Sequence, residues 1–269
     1  DMVLGALLVL VESAFELFIP VLMSDIIDVG IQNNGVEHVV PEKMTADEFD
    51  TAQFIMTDDE TDVWKGLYEA DGEFYKLKDK SEKELDEADE KLTLPLIMNY
   101  QMSTLEVSSF KKTIASQMGK KESELENMSV EQLGETLGVK FKSFKQEKED
   151  NDGNKVKVDC VDARPFFAGM LESGKMDKKS ILSMRDKMSN TIDAMGSSLV
   201  KSMGVAYAVS CDKTAGIDID HVQKSYLLFA GLKMLGMALL MGVVTVLVGF
   251  FASRVGAGIG MTLREKVFK

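Results

Sequence analysis

Two acids sit in this chain where acids are expensive. Glu12 and Glu16 fall four residues apart inside the apolar run from Met2 to Met23, which carries Pro20 and no base. That spacing puts both carboxylates on one helical face, and a carboxylate in hydrocarbon persists only against protein or a water-filled cavity. They read either as the polar lining of a substrate path or as hydrogen-bonding groups between helices. In a second apolar run Met234, Met237 and Met241 share one face, which suits an adaptable wall for varied ligands or plain packing. Cys160 and Cys211 form an even pair: a disulfide in an oxidising exterior, two small buried hydrophobes otherwise. The two histidines, His38 and His221, would need acids to complete a zinc site. The stretch from Asp150 to Gly153 resembles part of a calcium loop, but it puts Lys148 at the first ligand position and Asp159 where a bidentate glutamate is required. There is no GxxxxGK[ST] loop, no HExxH and no Ser/His/acid set, so no catalytic residue and no metal ligand is assigned.

The elements that position these residues are two membrane helices and a soluble segment between them. From Tyr226 to Ala252 the chain is apolar around its whole circumference apart from Lys233. A bilayer crossing needs about 20 such residues, and a buried soluble helix would show a polar face. Met2 to Met23 is the other span. Without a basic leading segment or a small-residue cleavage site it does not read as a signal peptide. A chain that opens at Asp1 in mid-helix and stops at Lys269 is expected to be a piece of a longer protein.

Charge is distributed unevenly. Residues 1–33 hold five acids and no base, residues 224–269 hold six bases and one acid, and these ends cancel. The middle therefore carries the whole net charge of −13. So acidic a segment is repelled by phosphate and is not a nucleic-acid binder. Arg254, Arg264, Lys266 and Lys269 follow the second span, and by the positive-inside rule they mark the cytoplasmic end. The expected organisation is a first span with an outward extension (1–32), an acidic extracellular domain (33–222), a second span (223–252) and a cytoplasmic extension (253–269).

The domain itself reads as mainly α with some β. Thr45-Ala46-Asp47-Glu48 and Ser129-Val130-Glu131-Gln132 have capping-box form and start short helices. Asp62 to Leu77 reads as a helical or irregular stretch with Trp64, Leu67, Tyr68 and Phe74 in the core. Ser81 to Asn99 is a helix in which Pro95 makes a kink or begins the next element. Val139 to Phe144 and Lys155 to Val161 alternate apolar with polar and predict a β-hairpin with a long polar loop. From Asp177, apolar residues recur every three or four positions through Ile181, Met184, Met188, Ile192, Met195, Leu199, Met203 and Tyr207, predicting one long amphipathic helix.

Two segments resemble a known family, the bacterial ABC exporters of the multidrug and lipid type. LLVLVESAFELFIPVLMSDIIDVGIQN looks like their opening span, with its Glu, its Pro and a trailing I-I-D-x-G-I that includes Asp28. GLKMLGMALLMGVVTVLVGFFASRVGAGIGMTLREKVFK is similar to the second span running into a long extension, with Ser253, Arg254, Gly260, Leu263, Arg264 and Phe268 at the matching places. The resemblance implies two helices of a six-span bundle in the plasma membrane, working as a homo- or heterodimer with a second transporter half. It implies ATP and Mg²⁺ bound in a nucleotide-binding domain elsewhere, and a drug, lipid or peptide as cargo. Where relatives have a short external loop, this chain has most of its length. The alternative from another class is a two-span sensor whose external domain binds a ligand, since its topology is identical.

Overall fold

The computed structural model describes residues 2–141, 143–149, 155–193 and 195–267. In chain order the elements are α1 (Met2–Asp25), a π-helical segment (Ile26–Gln32), β1 (Lys43–Thr45), α2 (Ala46–Thr51), a 3₁₀ turn (Ala52–Ile55), α3 (Asp58–Leu67), β2 (Tyr68–Asp71) and β3 (Phe74–Leu77). There follow α4 (Glu82–Ser103), β4 (Leu105–Glu106), α5 (Val107–Met118), α6 (Glu122–Glu126), α7 (Val130–Leu137), β5 (Ser143–Glu149) and β6 (Lys155–Val161). The chain closes with α8 (Arg164–Glu172), α9 (Lys178–Asp193), α10 (Ser197–Thr214) and α11 (Ile219–Val267). It is mainly helical, and it divides into two compact units: residues 1–36 with 218–269, and residues 37–217.

The first unit is a pair of helices long and apolar enough to cross a membrane, with candidate spans Gly5–Gln32 and Ile219–Met261. They run antiparallel: Gly5 lies against Phe251, Glu12 against Thr245, and Gly30 against Tyr226 and Leu227. The half-buried positions of α1 are Gly5, Leu8, Glu12, Phe15, Ile19 and Leu22, and those of α11 from Ala230 onward are Ala230, Met234, Met237, Met241, Val244, Val248, Phe251 and Val255. Both sets advance by alternating steps of three and four, a mean period of 3.5, which is the seam of a left-handed helix pair. The other faces expose large apolar side chains such as Leu10, Leu17, Phe229, Leu239 and Val246.

The second unit packs its helices around two small antiparallel sheets, in orders β1-β3-β2 and β4-β6-β5. Phe49, Trp64, Tyr68 and Tyr75 form an aromatic cluster beside the first sheet, with the Phe49 and Tyr75 rings stacked at 3.8 Å. Phe110, Ile114, Leu125, Leu133, Phe141, Val161 and Phe166 form the core of the other half. Reciprocal capping boxes start α3 (Thr57 with Glu60), α4 (Ser81 with Glu84) and α7 (Ser129 with Gln132).

The expected hairpin is present as β5 and β6, paired from Ser143↔Val161 to Glu149↔Lys155, but its first strand is Ser143–Glu149 and not Val139–Phe144, so residues 145–149 of the expected polar loop are strand. The calcium-like run Asp150–Gly153 lies outside the described residues. Three further expectations are corrected. Asp62–Leu77 is the end of α3 followed by a β2–β3 hairpin, closed by the two-residue loop Gly72-Glu73. Helix α4 continues through Pro95 to Ser103, with that residue buried, so no new element begins there. The single helix expected from Asp177 to Tyr207 is two, α9 and α10. The second starts after Gly196, whose φ of +87° a residue with a Cβ rarely adopts.

Candidate functional site

In the helix pair the sequence-predicted residues separate. Glu12 lies on the seam and its Oε1 accepts a 2.6 Å hydrogen bond from the Thr245 hydroxyl, which also donates to the Met241 carbonyl. Glu16 falls on the outer face and is exposed. Met234, Met237 and Met241 are seam residues turned toward α1, so together with Glu12 they form one continuous strip. Asp28 sits in the π-helical segment and accepts from the Ser24 hydroxyl at 3.0 Å. Arg254, Gly260 and Arg264 lie on the helical run of α11 beyond residue 252. Gly30 leaves no room for a side chain: a Cβ there would stand 2.6 Å from Leu227 Cδ2. The Gly30 carbonyl also accepts from Gln223 Nε2 at 2.9 Å.

In residues 37–217 a buried charged node was not foreseen. Arg164, only 7% exposed, forks onto Asp162 through Nε and Nη2 and reaches Glu48 Oε1 through Nη1 at 2.6 Å. The same Glu48 oxygen accepts from the Tyr207 hydroxyl at 2.8 Å. Helix α2 was expected to close a capping box between Thr45 and Glu48; Thr45 does accept the Glu48 amide, but the Glu48 carboxylate is turned to Arg164 and Tyr207 instead. Burial pulls the guanidinium pKa down, yet the hydrogen bonds and charges of Asp162 and Glu48 carry it above its ordinary value. Burial pushes the Tyr207 hydroxyl and the Cys211 thiol well above their ordinary ranges. Cys211 is therefore a thiol that hydrogen-bonds Tyr207, not a nucleophilic thiolate.

These groups line a cavity of about 410 Å³ shared with Lys145, Gln146 and Ser210. A neighbouring cavity of about 610 Å³ is lined by Tyr100, Gln101, Glu106, Gln146 and Met203. The two meet at Thr104 and Gln146, whose Nε2 donates to the Tyr100 hydroxyl at 2.8 Å while its Oε1 is buried with no hydrogen-bond partner. Both volumes suit a small ligand.

No family model, no curated protein and no solved structure matches this chain.

Cys160 and Cys211 are both buried and are not joined to each other. Cys160 is held in β6 opposite Phe144, and Cys211 faces Tyr207 from α10. Further buried charges escaped the sequence reading: Arg185, bonded to Glu60 at 2.6 Å, and Asp212, whose Oδ1 accepts the Lys43 amide at 2.8 Å. Their partners are remote in sequence, so no local spacing marks them.

Proposed function

We propose that this chain supplies the first two spans of an ATP-driven exporter for an amphiphilic cargo, with residues 37–217 on the extracellular side. The observation that carries the reading is α11. It is one unbroken helix of 49 residues, about 74 Å at 1.5 Å per residue against a hydrocarbon core of about 30 Å. Its basic end continues as helix past residue 252 through Arg254, Gly260 and Arg264, the positions at which it resembles the exporter extension. A rigid lever of that kind suits a machine that transmits movement from a cytoplasmic motor to the membrane. ATP hydrolysis in a nucleotide-binding domain would supply the driving chemistry. This chain's part would be mechanical, with Glu12 and the methionine strip forming the α1–α11 seam and the inserted unit standing at the outer mouth.

The test is transport by the intact protein in inside-out vesicles. Vanadate-sensitive, ATP-dependent uptake of a lipophilic cation or fluorescent lipid is expected, and its absence across such cargo would contradict the reading. Replacing residues 37–217 by a short linker separates a gating role, in which transport is lost, from an accessory one, in which it survives.

A second reading, a two-span receptor, is favoured by one observation: the adjoining cavities of about 610 and 410 Å³ in the inserted unit. It expects saturable ligand binding there and no ATP-dependent transport.

A further inference from the structure

Glu37 and His38 are the first two residues of the folded unit 37–217, and both come close to Glu82 in the first turn of α4. The imidazole is oriented from one side. Its Nδ1 lies 3.0 Å from Asp89 Oδ2, and Asp89 is itself fixed, its Oδ1 accepting the Val39 amide at 2.9 Å and its Oδ2 lying 3.2 Å from Lys201 Nζ. Asp89 is buried, so this arrangement sets the ring plane, and in the neutral imidazole it selects Nδ1 as the protonated nitrogen. In that tautomer Nε2 carries the lone pair, and it is shielded from solvent and without a hydrogen-bond partner. Glu82 Oε1 stands 3.4 Å from it without the alignment of a hydrogen bond.

We propose that Glu37, His38 Nε2 and Glu82 are three protein ligands of a divalent cation of the zinc class, with Asp89 as the positioning residue. One ligand atom from each of the three lies within 4.8 Å of the others. Around a tetrahedral ion with bonds of about 2.0–2.2 Å, neighbouring ligand atoms stand about 3.4 Å apart, which is the Nε2 to Oε1 separation here. A carboxylate behind the ligating imidazole is the usual outer-shell partner of such a site, because it fixes the tautomer and raises the basicity of the metal-bound nitrogen. Two carboxylates and a neutral imidazole also balance a doubly charged ion and leave a fourth position for water. His38 forms a second group with Asp86 and Asp89, but the Asp89 oxygens are already engaged by an amide, an imidazole and the Lys201 ammonium, whose charge opposes an ion there. An ion at Nε2 would pin the opening residues of the unit to the start of α4.

Zinc titration of the whole chain in detergent, by equilibrium dialysis with metal analysis, tests this. One zinc ion per chain is expected at micromolar concentration or below, together with a metal-induced shift of the His38 Nε2 resonance in ¹⁵N spectra. Glu37 and Glu82 are exposed, so Glu37→Gln and Glu82→Gln should keep the fold, checked by Trp64 fluorescence, while each weakens binding at least tenfold. Asp89→Asn should weaken it about 10–100-fold. The proposal is overturned if the unaltered chain binds no zinc saturably, which leaves His38 as an imidazolium between Asp89 and Glu82. It is equally overturned if both glutamine variants bind as tightly as the parent.

Discussion

The two units of this chain treat polar groups inside apolar surroundings in opposite ways. On the helix seam a carboxylate, Glu12, is given one hydroxyl, Thr245, and specificity comes from shape: alternating three- and four-residue steps, and a glycine, Gly30, where Leu227 and Tyr226 leave no room for a Cβ. In residues 37–217 each buried charge is given several partners. Arg164 takes Asp162 and Glu48, Arg185 takes Glu60 and Asp186, and Asp89 takes an amide, a histidine and a lysine. The difference follows from what failure costs. A buried charge stripped of its partner in a water-soluble core costs several kcal/mol, whereas polar contacts between membrane helices average well under 1 kcal/mol because the separated helices also find partners.

The sharpest way to break that contrast is Arg164→Met, which leaves Glu48 and Asp162 close together without their cation. Unit 37–217 should lose about 3–5 kcal/mol in urea unfolding followed by Trp64 fluorescence. Trp64 is the single tryptophan of the chain and is fully buried in that unit, so the signal reports nothing else. A loss below about 1 kcal/mol would mean that the node is not held as a network.

Asp212 gives the next largest effect, and its sign is set by burial. Desolvation raises its carboxyl from 3.8 to about 7, against the hydrogen bonds from the Lys43 and Glu42 amides, which lower it. The folded state therefore holds a proton that the unfolded chain releases near pH 4. The stabilising contribution is complete below about pH 4 and is lost as pH rises through about 7. The isosteric Asp212→Asn should remove this dependence, so the stability difference between variant and parent should shift in the variant's favour by on the order of 3 kcal/mol from pH 4 to pH 8. A difference that stays flat with pH would contradict the assignment.

The smallest effect belongs to the apolar helix pair. A double-mutant cycle of Thr245→Val and Glu12→Gln, read by detergent unfolding of the helices, should give a coupling of about 0.6 kcal/mol and no more than about 1.7. A coupling of the size expected at Arg164 would erase the contrast.

How much of this was legible in the residues differs element by element. The two apolar runs could be recognised because no polar face interrupts them, but for the same reason their seams could not. With apolar residues all round, only the presence of the partner helix distinguishes Met237 from Leu239. The break between α9 and α10 was legible in Gly196, and the β2–β3 turn in Asp71-Gly72. It was obscured because Tyr68-Glu69-Ala70-Asp71 has one buried residue and then three exposed ones, so no alternation announces a strand. The Glu48–Arg164 pair spans 116 residues of sequence, and the local pattern around Glu48 pointed to a cap. Long-range charge pairing leaves no periodic trace, so a site built on it emerges only from the fold.

The most direct test of the account is the side of the membrane on which each unit stands. Cys160 and Cys211 are buried, so single cysteines at Glu87 and Met261, both well exposed, can be read in intact cells with a membrane-impermeant maleimide. Labelling of Glu87→Cys in intact cells, with Met261→Cys labelled only after permeabilisation, is the predicted result. The reverse pattern, or labelling of both from one side, would contradict the arrangement of an external domain carried between two spans.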